Sequence, residues 1–322
     1  MHSEYSFKRF AQAVAALLLI SASWTAAAQE KYPSRPIEFI VPWGPGGGAD
    51  QVARKAGKLM EEDLKVSFPV VNSPGATGNT GMAKLLAAEA DGYSLSVMTW
   101  DTYALLATSK PRWGLNDIIP VALMIKQPSA FLAATNGELK TWADVERVAK
   151  TRQLKVAVTG FGSPDDITVN YFVARGLKLI SVPFAKPGER YTAVLGGHAD
   201  LLYEQIGDVR SFVDSKQIQP LIIFASHRFD VFPDVPASKE LGYDITLPQR
   251  RAVIMKAGTD PKKVKVIADA LARVAANPEY KAYLKDQYAT DDSYFGSADA
   301  LKIMQEELTQ MKRIAALAAT PK

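Results

Sequence analysis

Two glycine-rich turns carry the clearest chemical signal in the chain: Pro42-Trp43-Gly44-Pro45-Gly46-Gly47-Gly48-Ala49-Asp50 and Asn72-Ser73-Pro74-Gly75-Ala76-Thr77-Gly78-Asn79-Thr80-Gly81. Each follows a short apolar run and opens a helical pattern. Glycine permits positive φ and close backbone approach, and the first amides of a helix have no internal partner and carry the positive end of its dipole. Two such turns form a paired anion cradle. Neither contains Lys or Arg, so the pattern predicts an anion held by main-chain N–H groups and hydroxyls without a basic side chain. That suits a small carboxylate better than a polyphosphate, which needs several cations.

Other chemistries fit less well. Gly44-x-Gly46-x-x-Ala49 between a strand and a helix satisfies the dinucleotide pattern, with Glu61, Glu62 and Asp63 near the expected acidic position. The Phe68 to Val71 run, however, ends at Asn72 rather than at a ribose-holding acid. No Gly-Lys-Ser/Thr follows the glycines, which excludes a phosphate-binding P-loop. The glycines taken singly could also be plain tight turns. Beyond the first 28 residues the only histidines are His198 and His227. No His-Glu-x-x-His spacing occurs, and Ser163 lacks a Gly-x-Ser-x-Gly elbow. A Ser163, His198 and Asp200 hydrolase is the enzymatic alternative; the expectation is no catalytic residue, no cofactor and no metal. The chain has no cysteine, so disulfides and thiolate metal sites are impossible.

The elements that must position the turns are legible in outline. Lys8 and Arg9 precede an apolar stretch from Phe10 to Ile20, and Ala26-Ala27-Ala28 offers a cleavage site, so residues 1–28 read as a signal peptide of an exported, periplasmic protein. The net charge of +4 comes without basic clusters bearing interleaved aromatics, which argues against nucleic acid; Lys262, Lys263 and Lys265 read as a solvated helix face. Strands are expected at Ile37 to Val41, Phe68 to Val71, Ser94 to Thr99, Val121 to Ile125, Ala130 to Ala134, Leu154 to Val158, Leu179 to Val182, Leu201 to Tyr203, Gln219 to Ala225 and Ala252 to Lys256. Helices alternate with them at Asp50 to Glu62, Thr80 to Ala90, Trp142 to Lys150, Asp165 to Arg175, Arg190 to Leu195 and Val209 to Asp214. Two C-terminal stripes, Val264, Ile267, Leu271, Val274 and Leu301, Met304, Leu308, Met311, need a sheet to cover. The middle of the chain has its own strands and helices, so the first domain is interrupted: residues 29–126 with 248–322, and 127–247 between them. The crossings fall near Ile125 to Ser129 and Thr246 to Arg251, with a cleft between the lobes.

Beyond these patterns, the chain from Tyr32 to about Ala315 resembles the receptors of the tripartite tricarboxylate transporter family, also called Bug receptors. The resemblance rests on Tyr32-Pro33-Ser34-Arg35-Pro36-Ile37, on both glycine turns, and on Ala90-Asp91-Gly92-Tyr93, Phe161-Gly162-Ser163, Gly196-Gly197-His198-Ala199-Asp200, Pro233-Asp234-Val235-Pro236 and Glu240-Leu241-Gly242-Tyr243. It implies an α/β, type II-like two-lobed periplasmic binding protein with two doubly wound domains. The implied solute is a small di- or tricarboxylate, and the implied partners are two integral-membrane transporter subunits; the receptor itself is expected to be monomeric.

The same resemblance assigns the site. Trp43, Gly44, Pro45, Gly46 and Gly47 with Asp50, and Gly75, Ala76, Thr77, Gly78, Asn79 and Thr80, become pincers on one carboxylate. Asp50 also suits a helix N-cap. Thr99, Trp100 and Asp101 would floor the site. The second lobe would add Thr159, Gly160, Phe161, Ser163 and Asp166, with Phe184, Tyr203 and Glu204 facing the cleft. Here the chain departs from the family: many relatives carry His in place of Asp166, and a Tyr-Lys-Gly stretch where Phe184-Ala185-Lys186-Pro187-Gly188 stands. The departure leaves room for a solute other than the common carboxylates, with two readings of Trp43, Trp100, Phe161 and Phe184: they flank a neutral or aromatic body, or they belong to the core. Asp165 and Asp166 could instead do no more than charge a first helical turn.

Overall fold

The computed structural model describes residues 31–319, and its compact unit begins at Arg35. The segment read as a signal peptide lies outside the described residues. Among those described, no helix is long and apolar enough to cross a membrane.

Strand β1 (Glu38–Val41) leads through the first glycine turn into helix α1 (Gly48–Leu64), and β2 (Val70–Asn72) leads through the second into α2 (Asn79–Ala87). Strand β3 (Ser94–Thr99) runs into two single turns, α3 (Trp100–Tyr103) and α4 (Leu105–Thr108). Then β4 (Ile118–Gln127) and β5 (Ser129–Ala134) are separated only by Pro128. The middle of the chain supplies α5 (Trp142–Thr151), β6 (Leu154–Val158), α6 (Pro164–Val173), β7 (Leu179–Pro183), α7 (Pro187–Leu195), β8 (Leu201–Gln205), α8 (Arg210–Asp214) and β9 (Ile218–Ile223). It closes with β10 (Gln249–Lys256), α9 (Pro261–Ala276), α10 (Pro278–Asp286), the two-residue β11 (Phe295–Gly296) and α11 (Ser297–Ala319).

The helix starts follow from the sequence. Thr141 and Asp144 form a reciprocal capping box on α5, Ser163 caps α6 ahead of Pro164, and Asp260 and Asn277 cap α9 and α10 ahead of Pro261 and Pro278. Helix α10 escaped sequence analysis although Asn277-Pro278 is a start signal. Helix α1 ends where Lys65 turns left-handed (φ 60°) and returns its N–H to the Glu61 carbonyl.

Two sheets result, ordered β11-β4-β10-β3-β1-β2 and β7-β6-β8-β5-β9. In the first, β1 is parallel to β2 and β3, and β10 is antiparallel to β3 and β4. In the second, β6 is parallel to β7 and β8, and β5 is antiparallel to β8 and β9. The chain leaves the first sheet at Gln127 and re-enters it at Gln249, its partner across the β4–β10 ladder. The strand ends that face the seam are therefore the carboxyl ends of the parallel strands, where open α/β sheets place their ligands.

A contiguous core joins Ile40 and Met98 of the first sheet to Phe131 and Tyr203 of the second and to Phe172 of α6. Phe131 sits at its aromatic centre, with ring centroids 5.1 Å from Phe224, 5.8 Å from Tyr203, 5.9 Å from Phe172 and 6.0 Å from Trp142. Helix α11 covers β4 of the first sheet and also packs on α6 of the second. Its buried face is Ala300, Met304, Met311 and Ile314, while Leu301, expected in the stripe, is 37% exposed. Met304 and Met311 are buried as expected and Leu308 packs half-buried against the core, so only the first position of the stripe differs, where Ala300 takes the place of Leu301.

Phe131→Ala should destabilise the fold by about 3–5 kcal/mol, the cost of a large aromatic cavity. Thermal denaturation checks this, and a melting temperature within a degree of the parent would show that the aromatic cluster repacks.

Candidate functional site

The two glycine turns are tied together from behind. Asn72 Nδ2 donates to the Trp43 carbonyl at 2.9 Å and to Asp50 Oδ1 at 3.0 Å. Asp50 Oδ2 accepts from the Gly46 N–H at 3.1 Å and Arg54 Nε at 2.9 Å. Asp50 is consequently not the N-cap of α1; Gly47 is, with no side-chain bond, and Asp50 lies in the first turn and braces the loop. Burial works to raise its pKa, but hydrogen bonds from Arg54, Gly46 and Asn72 prevail and hold it below the usual carboxylate range. In the second turn Gly75, Ala76, Thr77 and Gly78 all have positive φ, at 135°, 48°, 53° and 86°. Two non-glycine residues in that region store strain, a property that concentrates at ligand-binding loops.

Across the seam the two sheets meet closely around a cavity of about 30 Å³, room for one water molecule. Trp43, Gly47, Gly48, Thr99, Asp101 and Arg251 line it from one side. Thr159, Pro187, Arg190, Glu204, Gln205 and Asp208 line it from the other. Missing side chains make this approach possible: a Cβ on Gly47 would stand 2.6 Å from Pro187 Cγ, and one on Gly160 would stand 2.3 Å from Thr77 Oγ1. Thr108 Oγ1 donates to the Gly162 carbonyl at 2.9 Å, and Thr77 Oγ1 to that of Phe161 at 3.4 Å.

The cavity wall is charged, and here the expectation of a site without basic side chains is corrected. Arg190 and Arg251 are each only 3% exposed and both line the cavity. Arg190 pairs with Glu204, which also accepts from Tyr191 Oη at 2.9 Å. Arg251 pairs with Asp208 and donates to Gln127 and, at 3.2 Å, to Gln205 Oε1. The Thr159 N–H and hydroxyl both donate to Asp165 Oδ2, at 2.8 and 2.9 Å, and the same hydroxyl lies 3.3 Å from Asp101 Oδ1. Gln249 Nε2 donates to the other oxygen of Asp101 at 2.6 Å.

Taking carboxylates out of water disfavours their charge. Burial raises the Asp101 pKa against the opposing Arg190 charge, and burial together with the Asp101 charge raises that of Asp165 well above the usual range. Burial also pushes Asp208 up, to about 6, although Arg251 opposes it. Burial works against the Arg190 charge, but the Glu204 carboxylate more than compensates and the guanidinium stays ionised.

Of the residues singled out from sequence, Trp43, Gly47, Thr99, Asp101, Thr159 and Glu204 meet at this cavity, with Gly160 and Thr77 at its edge. Trp43 Nε1 donates to Thr99 Oγ1 at 2.9 Å. Others lie elsewhere. Trp100 is fully buried against Tyr103, Tyr203 belongs to the aromatic core, Phe184 packs on a second apolar cluster, and Phe161 is 62% exposed. Asp166 accepts from the Gly162 N–H at 2.9 Å and from Ser181 Oγ at 2.7 Å; both Asp165 and Asp166 lie in the first turn of α6, as expected, and Asp165 is the buried one. Ser163 caps α6 and donates to the Gly160 carbonyl at 2.7 Å, while Asp200 pairs with Arg152 at the opposite end of the parallel β6–β8 pair, so no hydrolase triad assembles. Sequence reasoning missed Arg190 of α7, Gln205 of β8, Asp208 of the turn after it and Arg251 of β10, which share no local motif. A larger groove, about 1060 Å³ beside Trp142 and Pro236, lies elsewhere; it lacks both the glycine turns and the buried charges, so the smaller cavity is the candidate site.

Residues 52–318 match the profile of the tripartite tricarboxylate transporter family receptor. The chain belongs to this family. It is 30% identical to the protein BugT of Bordetella pertussis over 243 residues, covering 72% of this chain and 74% of BugT. It is also 30% identical to the UPF0065 protein of the TAR-I ttuE-ttuC' intergenic region of Agrobacterium vitis over 224 residues, 68% of this chain and 65% of that one. MatC from Rhodopseudomonas palustris, solved with bound malate, superposes with a TM-score of 0.81 at 24% identity, over 88% of this chain and 100% of MatC. The fold is thus that of a periplasmic binding protein. Receptors of this family are periplasmic and bind solutes rather than transform them.

Acids with raised pKa keep a proton that the unfolded chain has already lost, so their stabilising contribution is present at low pH and disappears as pH rises through the folded pKa. The ligand-free receptor should therefore melt higher at pH 5.5 than at pH 7.5. Asp208 alone contributes about 1 kcal/mol over that interval, roughly 2–4 °C in a chain of this size. Thermal scans across the interval check this; a melting temperature that falls steadily on acidification would contradict the buried-acid assignment.

Proposed function

We propose that this receptor captures a small organic carboxylate at the seam between its two sheets and presents it to the two integral-membrane subunits of a tripartite tricarboxylate transporter. One observation carries the reading: the glycine turn after β1, the carboxyl ends of β3, β6 and β8, and two buried arginines converge on one cavity, and the strained turn after β2 meets Gly160, the neighbour of the cavity residue Thr159. The malate held by MatC is of the chemical class this arrangement suits. The proposed contacts are the turns Trp43 to Gly47 and Gly75 to Thr80, with Thr99, Asp101, Thr159 and Glu204, to which Arg190 and Arg251 are added. Charge-assisted hydrogen bonds contribute about 1.5–3 kcal/mol each, so three or four, less the cost of immobilising the solute, reach the roughly −8 kcal/mol of micromolar affinity.

A carboxylate does not fit in about 30 Å³, so entry requires the sheets to part. On this reading residues 29–126 with 248–322 form one lobe and 127–247 the other, hinged beside Gln127 and Gln249. The solute touches both lobes only when they shut, and its differential affinity shifts the population toward the shut form. Residues 1–28 direct export and are removed, leaving a monomer in the periplasm.

Calorimetric titration with malate and succinate tests the site. Gly47→Ala and Gly160→Ala should each weaken binding at least about tenfold, because their clashes arise only when the lobes meet. Both should fold normally by circular dichroism. Unchanged affinity in the two variants would remove this seam as the binding site.

A further inference from the structure

Resting on that reading, we propose that the seam is a proton-linked gate: Asp101 and Asp165, carried by opposite lobes, share one hydroxyl and take up a proton from water as the lobes shut. Asp101 follows β3 in the first lobe, while Thr159 and Asp165 follow β6 in the second. Shutting brings them together. The Thr159 hydroxyl donates to Asp165 Oδ2 at 2.9 Å and lies 3.3 Å from Asp101 Oδ1. It has one proton and cannot serve both carboxylates. When it serves Asp165, the Asp101 oxygen beside it lacks that donor, and two like charges flank a single hydroxyl. A proton on either carboxyl supplies the missing donor and removes the repulsion. When the lobes part, that proton returns to water.

The surroundings do not neutralise the pair. Facing Asp101 and Asp165 are Arg190 of α7, Tyr203 and Glu204 of β8, and Gln249 and Arg251 of β10. Arg190 is tied to Glu204 and Arg251 to Asp208, so each guanidinium already has an acid of its own. Four carboxyl groups meet two arginines around a cavity with room for one water, and Asp101 and Asp165 are both buried. Screening there is weak. Neither His198 nor His227 lines the cavity. Parting the lobes carries the Asp101 charge away from Asp165 and admits water to Thr159, which returns the carboxyl groups toward their ordinary range near about 3.9. In the shut form burial raises the Asp101 pKa, and burial with the Asp101 charge raises that of Asp165. Asp208, pushed up to about 6 by burial, acts in the same direction. The shut form therefore binds more protons than the parted one, and acid favours shutting, by up to about tenfold per pH unit for each proton taken up. Ambient pH then sets how readily the empty receptor opens to load.

Small-angle scattering of the ligand-free protein at pH 5.5, 6.5 and 7.5 tests the gate. Gly47→Ala serves as the parted reference, since its Cβ would stand 2.6 Å from Pro187 Cγ in the shut form. The parent's radius of gyration should rise from pH 5.5 to 7.5 toward that reference, with the shut-to-parted ratio falling about tenfold or more. Asp101→Asn and Asp165→Asn each remove one charge but keep an acceptor oxygen; both should stay compact at every pH, with the circular dichroism of the parent. If one of them misfolds the other decides, and if both do, the parent's own series against Gly47→Ala decides. The gate is overturned by a parent radius that ignores pH, by a parent that expands on acidification, or by a folded aspartate variant that keeps the full pH response or stays parted. Malate and succinate titrations of the parent and Gly47→Ala judge the carboxylate reading separately: binding that is lost in Gly47→Ala, beside a radius that ignores pH, overturns the gate alone.

Discussion

Charges at the seam between the two sheets are almost cut off from water, and every other feature of the site answers to that constraint. Low dielectric strengthens each pair and penalises each unpaired group. Glu204 and Asp208 are therefore each matched to an arginine, and Gln127, Gln205 and Gln249 fill the remaining polar positions around them. Burial raises the pKa values of Asp101 and Asp165, which have hydrogen bonds but no ion pair, and also that of Asp208 despite its arginine; the Arg190 and Arg251 charges oppose the rise without cancelling it.

The backbone cooperates with this arrangement. Parallel strands direct their carboxyl ends to the seam, so Trp43, Thr99, Thr159 and Glu204 arrive there from β1, β3, β6 and β8 without any sequence proximity. Glycines at positions 47 and 160 remove the side chains that would otherwise hold the sheets apart. Asp50, Asn72 and Arg54 fix the first turn from behind, with Asp50 also taking up the Gly46 N–H. Helix α11 adds a second tie, since it packs on β4 of the first sheet and on α6, the helix that follows β6 of the second, and any separation of the sheets must rotate about or slide past it.

Sequence alone yielded most of the fold. Alternating apolar runs and helical stripes located ten strands and the main helices, because period and turn chemistry are local properties. It failed where local signals compete with packing: α10 was overlooked between two stronger helices, and in α11 Ala300 rather than Leu301 is buried at the first position of the stripe. The glycine turns were legible for the same local reason, since no other residue adopts their dihedrals cheaply.

What the chain determined by itself, then, was the set of elements, the two glycine turns and the family to which it belongs. The tertiary structure decided the charge of the site. Arg190 and Arg251 lie 61 positions apart in sequence and carry no motif, and nothing in either local context distinguishes them from surface cations. Asp165 and Asp166 are adjacent on a helix, yet only the first is buried against the cavity wall, because helical rotation turns neighbours about 100° apart. Burial, pairing and pKa are properties of distance through space, and those distances exist only once the two sheets have met.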